Sequence, residues 1–348
     1  MSEQSLSAVV EKPRAQAAIG SLREEGIYDD DRSVYECGQE TVAIPVTAPP
    51  QRTDILDVIE EVGEPRRRSL ADHLRERGWS DAELERAPSS WAVLGSVILV
   101  EASDTPDSEA VGEALLAMHG NADTVLAREG IDGDHREPTV QVLAGEGDTE
   151  TVHREHGTEY ALDLAEVMFS PGNKAERARM GETVTDSERV LDMFAGIGYF
   201  TLPMARAGAH VTAIERNPAA FKYLVENVVR NGVQDNVETY RADNRDVIAG
   251  GTAEAGTPDR FEFDRIVMGY YEAHEYLDSA LAVLAPGGWL HMHEATPDTL
   301  VPERPLGRLR DAVESHGMTV ENHSVREVKG YSEGVSHVVV DASVRPEN

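Results

Sequence analysis

The stretch Val190-Leu-Asp-Met-Phe-Ala-Gly-Ile-Gly-Tyr-Phe200, followed by the apolar run His210-Val-Thr-Ala-Ile-Glu215, constrains the fold more than any other part of the sequence. Val190 to Asp192 reads as a buried strand, Gly196-x-Gly198 breaks it, and a helix opens directly afterwards. A strand that gives way to a glycine turn and a helix presents backbone N–H groups to a nucleotide-like ligand. Glu215 stands 23 residues after Asp192 and closes the next apolar run, where an acidic side chain meets ribose hydroxyls. The glycine spacing alone says only that a strand turns into a helix. The acid at the second strand end points the site toward adenosine.

The text around this unit alternates between the two hydrophobic periods. Strands are expected at 190–194, 210–215, 236–241, 264–268 and 287–293, helices at 199–207, 217–231, 273–284 and 306–316, and two final strands near 318–327 and 336–343. Such units predict an α/β, mostly parallel, doubly wound Rossmann-like sheet with its ligand at the carboxyl ends of the first strands. Upstream, 8–26 carries helical spacing, 33–46 reads as strands, 55–87 as charged helix, 91–100 as one buried strand and 108–118 as a helix. Three regions are therefore expected: a small module over 1–48, an α+β domain over 49–158 and the Rossmann-like domain over 159–348. The polar stretches 102–109, 131–135 and 145–150 read as surface loops.

Lys plus Arg total 32 against 64 Asp plus Glu, and Lys12, Lys174, Lys222 and Lys329 are the only lysines. Strongly hydrated acidic surfaces suit molar salt, so the composition points to a halophile. At about 1 M ionic strength the Debye length is roughly 3 Å, so the charge of −32 leaves a nucleic-acid partner open. A lone cysteine, Cys37, excludes a disulfide framework and a Cys-based zinc site. No run approaches the ~20 apolar residues of a membrane span, and Met1-Ser-Glu-Gln lacks the pattern of a signal peptide, so a soluble cytoplasmic protein is expected.

Several further residues carry candidate chemistry. Lys174, Arg177 and Arg179, set against Glu176 in Met168-Phe-Ser-Pro-Gly-Asn-Lys-Ala-Glu-Arg-Ala-Arg-Met180, give a local positive charge with Ser170 nearby, suited to a carboxylate or a phosphate. Asp243 and Asn244 follow the third strand and offer an acceptor and a donor to an adenine edge. An Asx turn is the plainer reading of that pair. After the fourth strand, where enzymes that methylate base nitrogens carry an Asn/Asp-Pro-Pro-aromatic or Asn-Leu-Pro run, stands Met268-Gly269-Tyr270. Tyr270 supplies a ring for base stacking, but no amide or carboxylate accompanies it. His291-x-His293 places two imidazoles on one strand face, without a third ligand at metal spacing, and reads as a half-buried strand face. His153 and His156 are expected in solvent before a hairpin. Arg66-Arg67-Arg68 reads equally as a phosphate contact or a solvated helix face.

Residues 159–300 resemble the archaeal wybutosine-synthesising transferases that move a 3-amino-3-carboxypropyl group from S-adenosylmethionine to tRNA. The resemblance is carried by Met168-Phe-Ser-Pro-Gly-Asn-Lys-Ala-Glu-Arg177, Asp192-Met-Phe-Ala-Gly-Ile-Gly-Tyr-Phe-Thr-Leu-Pro203, Ile214-Glu-Arg-Asn-Pro218, Tyr223-Leu-Val-Glu-Asn227, Asp243-Asn-Arg-Asp246 and Met268-Gly-Tyr270. The archaeal tRNA guanine-N1 methyltransferases share the glycine turn and Met168-Phe-Ser-Pro171 and differ at the fourth strand. The resemblance implies S-adenosylmethionine as cosubstrate, with Ser170 and Arg177 at its methionine or ribose end, Glu215 at its ribose and Asp243 with Asn244 at its adenine. Asp192, Phe194, Gly196 and Gly198 complete the candidate set. It implies transfer to C7 of 4-demethylwyosine beside the anticodon of tRNA(Phe), with RNA binding upstream of the Rossmann-like domain and no metal or membrane. Guanine-N1 methylation is the alternative, and a non-catalytic RNA-binding protein the distant one.

Overall fold

The computed structural model describes residues 6–60, 69–133, 136–254 and 261–347. The chain divides into two compact units, Met1–Ser80 and Asp81–Asn348. Arg66–Arg68 lie outside the described residues.

In the first unit, strands β1 (Leu6–Glu11), β2 (Tyr35–Glu36), β3 (Thr41–Val46) and β4 (Asp57–Glu60) form an antiparallel sheet in the order β2-β3-β1-β4. Helix α1 (Ala15–Glu24) lays Ala18 and Leu22 on its Ala8, Val10, Ile44 and Val46. The helix expected over 8–26 is thus a strand at its start. Val9 and Val10 are β-branched and pair with β3, and Pro13 bars a helix interior there, so α1 begins only after it. The segment expected to be helical from Ile55 likewise begins as β4, paired with β1. Helix α2 (Leu70–Glu76) follows, held by a capping box between Ser69 and Asp72.

The second unit opens with the short α3 (Asp81–Leu84). A sheet in the order β5-β6-β7-β8 follows, built from β5 (Trp91–Leu94), β6 (Val97–Val100), β7 (Thr124–Asp132) and β8 (Glu137–Gly145). The expected single strand over 91–100 is a hairpin instead. Gly95 takes a positive φ of 58° and turns the chain with Ser96, a two-residue connection that suits antiparallel strands. Helix α4 (Ser108–Met118), capped by the Asp107 side chain, links β6 to its parallel neighbour β7. A separate hairpin joins β9 (Glu150–Glu155) to β10 (Thr158–Asp163).

The remaining sheet has the order β13-β12-β11-β14-β15-β17-β16, built from β11 (Arg189–Asp192), β12 (His210–Ile214), β13 (Val237–Tyr240), β14 (Phe263–Met268), β15 (Leu284–Pro297), β16 (Met318–Ser332) and β17 (Val335–Pro346). Its first five strands run parallel, and β17 runs antiparallel to both of its neighbours. Both faces are covered, and consecutive apolar residues divide between them. Val190 and Val267 pack with Met180, Leu202 and Leu224 from α5 (Lys174–Thr183), α6 (Thr201–Arg206) and α7 (Pro218–Arg230). Leu191, Ile266 and Met268 pack with Ile248, Leu277 and Leu309 from α8 (Asn244–Glu254), α9 (Leu277–Leu281) and α10 (Glu303–Ser315). A strand buried on both faces needs a continuous apolar run, which explains the text of β11, β12 and β14. No described helix is long and apolar enough to cross a membrane.

Candidate active site

The first four strands of this sheet end on a common cavity. Its walls include Phe194 and Gly196 after β11, Glu215 and Asn217 after β12, Asp243 and Asn244 after β13, and Gly269 with Tyr270 after β14. Gly196 sits at a positive φ of 57°, and a methyl group there would run into the Tyr199 ring.

Glu215 fixes the geometry between the first two strand ends. One oxygen accepts the Gly196 N–H at 2.8 Å and the other the Asn217 N–H at 2.7 Å, while Asn217 caps α7 through its own side chain. Burial raises the Glu215 carboxyl above its ordinary range, against the pull of these backbone donors. The carboxylate thus braces the glycine turn while keeping a lone pair on each oxygen.

Asn244 donates Nδ2 to the Met193 carbonyl at 3.1 Å, which fixes its amide orientation and leaves Oδ1 buried without a protein partner. A buried acceptor on a cavity wall calls for a ligand donor. Asp243 is held by Arg245, whose guanidinium spans both carboxylate oxygens at 2.9 and 2.8 Å and whose backbone N–H closes an Asx turn. That salt link keeps its carboxyl below the usual carboxylate range. The plain Asx-turn reading and a place on the cavity wall therefore both hold.

Ser170 and Arg177 enter from the segment before β11. Arg177 is buried, spans Glu155 through Nε at 2.7 Å and Nη2 at 2.8 Å, and donates Nη1 to the Ser170 carbonyl at 2.9 Å. Its guanidinium also covers the Phe169 ring. Burial pushes the Glu155 carboxyl up, but hydrogen bonds from His153 and Arg177 outweigh it and hold the group at about 2. The Ser170 hydroxyl accepts from Lys329 at 2.5 Å.

The free positive charge expected over 174–179 is largely spent inside the fold. Arg177 answers Glu155, Arg179 answers Asp341 at 2.7 Å and Glu176 at 3.5 Å, and Lys174 is exposed away from the cavity.

Two of the expected contact residues stand behind the wall rather than on it. Asp192 is fully buried, accepting from the Thr201 hydroxyl at 2.7 Å and the Phe194 N–H at 3.4 Å. Burial lifts its carboxyl to about 6 despite the Thr201 hydrogen bond. Gly198, with φ at 102°, makes room for packing, since a methyl there would lie 2.8 Å from Leu202. Tyr270 lines the cavity, but it already stacks on Phe194 at 5.1 Å, so one of its faces is taken.

The cavity wall includes residues outside the expected cofactor set. Arg136, which directly follows the stretch 131–135 expected as a surface loop, lines the cavity with its guanidinium over the Tyr271 ring. His293 and His337 line it as well, and both are buried. The expectation of a half-buried face at His291 and His293 is corrected: they are 1% and 2% exposed. His291 is a satisfied core residue, donating Nδ1–H to Asp341 at 2.5 Å and accepting from Arg265 at 2.6 Å. His153 is also not in solvent, because it meets Glu155 at 3.1 Å and the edge of Phe169.

Comparison with known proteins identifies the family. The TRM5/TYW2 methyltransferase domain matches residues 151–321 and the TYW2 N-terminal domain matches residues 70–149. The tRNA(Phe) (4-demethylwyosine(37)-C(7)) aminocarboxypropyltransferase of Pyrococcus horikoshii is 38% identical over 261 residues, 74% of this chain and 90% of that protein. The chain belongs to the TRM5/TYW2 family. Among solved TRM5/TYW2 structures, P. horikoshii TYW2 in complex with MeSAdo aligns with a TM-score of 0.65 at 35% identity, over 78% of this chain and 97% of that one. Wild-type Trm5b from Pyrococcus abyssi aligns with a TM-score of 0.72 at 30% identity, over 98% and 99% of the two chains.

Proposed function

We propose that this protein transfers the 3-amino-3-carboxypropyl group of S-adenosylmethionine to C7 of 4-demethylwyosine, beside the anticodon of tRNA(Phe), with methylthioadenosine as coproduct. The residues present fit an adenosine-bearing cosubstrate. Asn244 Oδ1 is an unmet acceptor for an adenine amino group, the braced oxygens of Glu215 suit ribose hydroxyls, and Gly196 leaves space that any side chain would fill. When bound, the sulfonium supplies an activated carbon that needs no protein nucleophile. Ser170 and Arg177 are assigned to the methionyl or ribose end, and Phe194 to the adenosine.

The observation that carries the reading lies at the end of β14. Gly269 offers no amide or carboxylate, and a methyl group there would lie 2.8 Å from the Phe200 ring, so no larger residue fits without repacking. Transfer to a ring nitrogen calls for a partner that takes the N–H of the base at this spot. A carbon nucleophile has no N–H for such a partner to take, and placement supplies the rate of the bond-forming step. Holding two reactants in line is worth roughly 7–11 kcal/mol.

Guanine-N1 methyl transfer is the second reading, favoured by the full-length alignment with Trm5b, which includes the first unit. The coproduct separates the two. Purified protein, labelled S-adenosylmethionine and tRNA carrying 4-demethylwyosine should yield methylthioadenosine; S-adenosylhomocysteine formed on tRNA with unmodified guanosine would select the second reading. The carboxylate excess fits a salt-rich cytoplasm, where short Debye lengths let local cations such as Arg136 meet RNA despite the net charge of −32.

A further inference from the structure

His293 and His337 form a pair that the reading above leaves without a task. His293 Nδ1 and His337 Nε2 lie 2.9 Å apart, so one donates its proton to the other. Their outer nitrogens, His293 Nε2 and His337 Nδ1, are buried without a partner. Both rings nevertheless stand on the cavity wall. A neutral imidazole has one N–H and one lone pair. Whichever way the inner hydrogen bond points, one outer nitrogen therefore offers a lone pair and the other an N–H.

The sheet order locates this pair along the cavity. Glu215 follows β12, and β11 and β14 intervene before β15, which carries His293. Three strand spacings separate the ribose-facing acid from the imidazoles by roughly 14 Å. The pairing of Met268 with Met292 sets His293 beside Gly269, at the fourth-strand end where the base is received. Phe200 lies against one ring of the pair at 5.2 Å and Tyr271 against the other at 4.9 Å.

We propose that the His293–His337 pair is the base that accepts the proton leaving C7 of the substrate. The inference rests on the aminocarboxypropyl reading. In that reaction the C7–carbon bond forms as the carbon–sulfur bond breaks, and the sulfur keeps its electron pair. C7 then carries both its hydrogen and the new group, and the C7–H electrons return to the ring only when the proton leaves. The outer nitrogen with the lone pair takes that proton, the inner hydrogen bond passes a proton to the second ring, and the second outer nitrogen releases it as product departs.

Electrostatics favour a neutral pair. Burial lowers both rings to about 3, with His291, Arg326 and Arg179 opposing charge on His293, and His293, Lys329 and Arg326 opposing it on His337. Asp341 and Glu176 pull the other way and are outweighed. A weak base suffices, because a carbon that must restore an aromatic ring is a strong acid.

The test uses full-length protein and tRNA with protium or deuterium at C7 of 4-demethylwyosine. In His337→Phe, and in His293→Asn should the first variant fold poorly by circular dichroism, the single-turnover rate should fall ~100-fold or more. A deuterium isotope effect absent from the wild type should emerge, while methylthioadenosine binding by calorimetry stays unchanged. The wild-type rate should also hold flat from pH 7 to pH 5, where an ordinary histidine would titrate. A folded variant with near-normal rate, or a slow one without an isotope effect, overturns the proposal. Weakened S-adenosylmethionine binding with normal methylthioadenosine binding also overturns it and assigns the pair to the methionyl group. Wild-type protein that forms no methylthioadenosine refutes the underlying reading instead.

Discussion

Replacing Glu215 with Gln tests the adenosine end of the cavity most directly, because the side chain keeps its shape and loses one acceptor. In the native protein its two oxygens accept the Gly196 and Asn217 N–H groups at 2.8 and 2.7 Å. The amide has one oxygen, so one of these donors then faces an NH2. A hydrogen bond to a charged acceptor contributes about 1.5–3 kcal/mol, and losing it within the glycine turn loosens the surface that meets the ribose. That range corresponds to a loss of roughly 10- to 150-fold in affinity. Global stability should change less, because burial already raises this carboxyl and a neutral amide escapes that penalty. Calorimetry with S-adenosylmethionine and with methylthioadenosine reads the effect. The ribose is common to both, so both affinities should fall by the same factor. If only S-adenosylmethionine binding weakens, Glu215 serves the methionyl arm and the ribose assignment is refuted; equal affinities in variant and wild type would remove Glu215 from the site.

Three further outcomes follow from buried charge. Asp192 titrates at about 6 in the fold against ~3.9 unfolded, so stability is fully present below about pH 4 and is lost as pH rises through 6, by roughly 3 kcal/mol. Asp192→Asn should flatten that part of the melting-temperature curve, and parallel curves for the two proteins between pH 4 and 7 would contradict it. Glu155→Leu strands the Arg177 guanidinium and should destabilise the protein by about 3–5 kcal/mol in urea titration; a loss below 1 kcal/mol would show that Arg177 finds water or another acceptor. Asp341→Asn weakens links to His291, Arg179 and Arg326 together and should destabilise the protein by a similar free energy in urea titration, with an unchanged midpoint counting against a connected network.

The sequence made the Rossmann-like sheet legible because its strands, buried on both faces, must be apolar throughout, and its turns need glycine or a helix cap. The places of Glu215, Asn244 and Gly196 on the cavity wall were readable for the same reason: strand ends converge on one crevice in any sheet of this topology. Arg136 and His337 left no such trace. One stands just before β8 and the other in the antiparallel return strand β17, and only the fold brings them to the cavity that the glycine turn also lines. Charge was the other blind spot. The basic run over 174–179 looks largely free in one dimension, whereas Glu155 and Asp341, both outside it in sequence, take up its arginines. The strand at 8–11 was hidden because its pairing partners lie thirty or more residues downstream.

These buried ion pairs bear on how the site holds its shape. A chain of contacts runs from Glu176 through Arg326, Asp341, His291 and Arg265 to Glu188, linking α5, β16, β17, β15, β14 and the turn before β11. Replaced together by apolar residues, such a chain would cost little net stability, since desolvation offsets most of the attraction. Its effect is positional, because each partner accepts only one arrangement of its neighbours. The elements it locks are the ones that carry Arg177 on one side of the cavity and His293 and His337 on the other. A reaction that selects one carbon of a sulfonium by placement alone tolerates little drift between those two sides, and a network of directional bonds limits sliding in a way that an apolar contact does not.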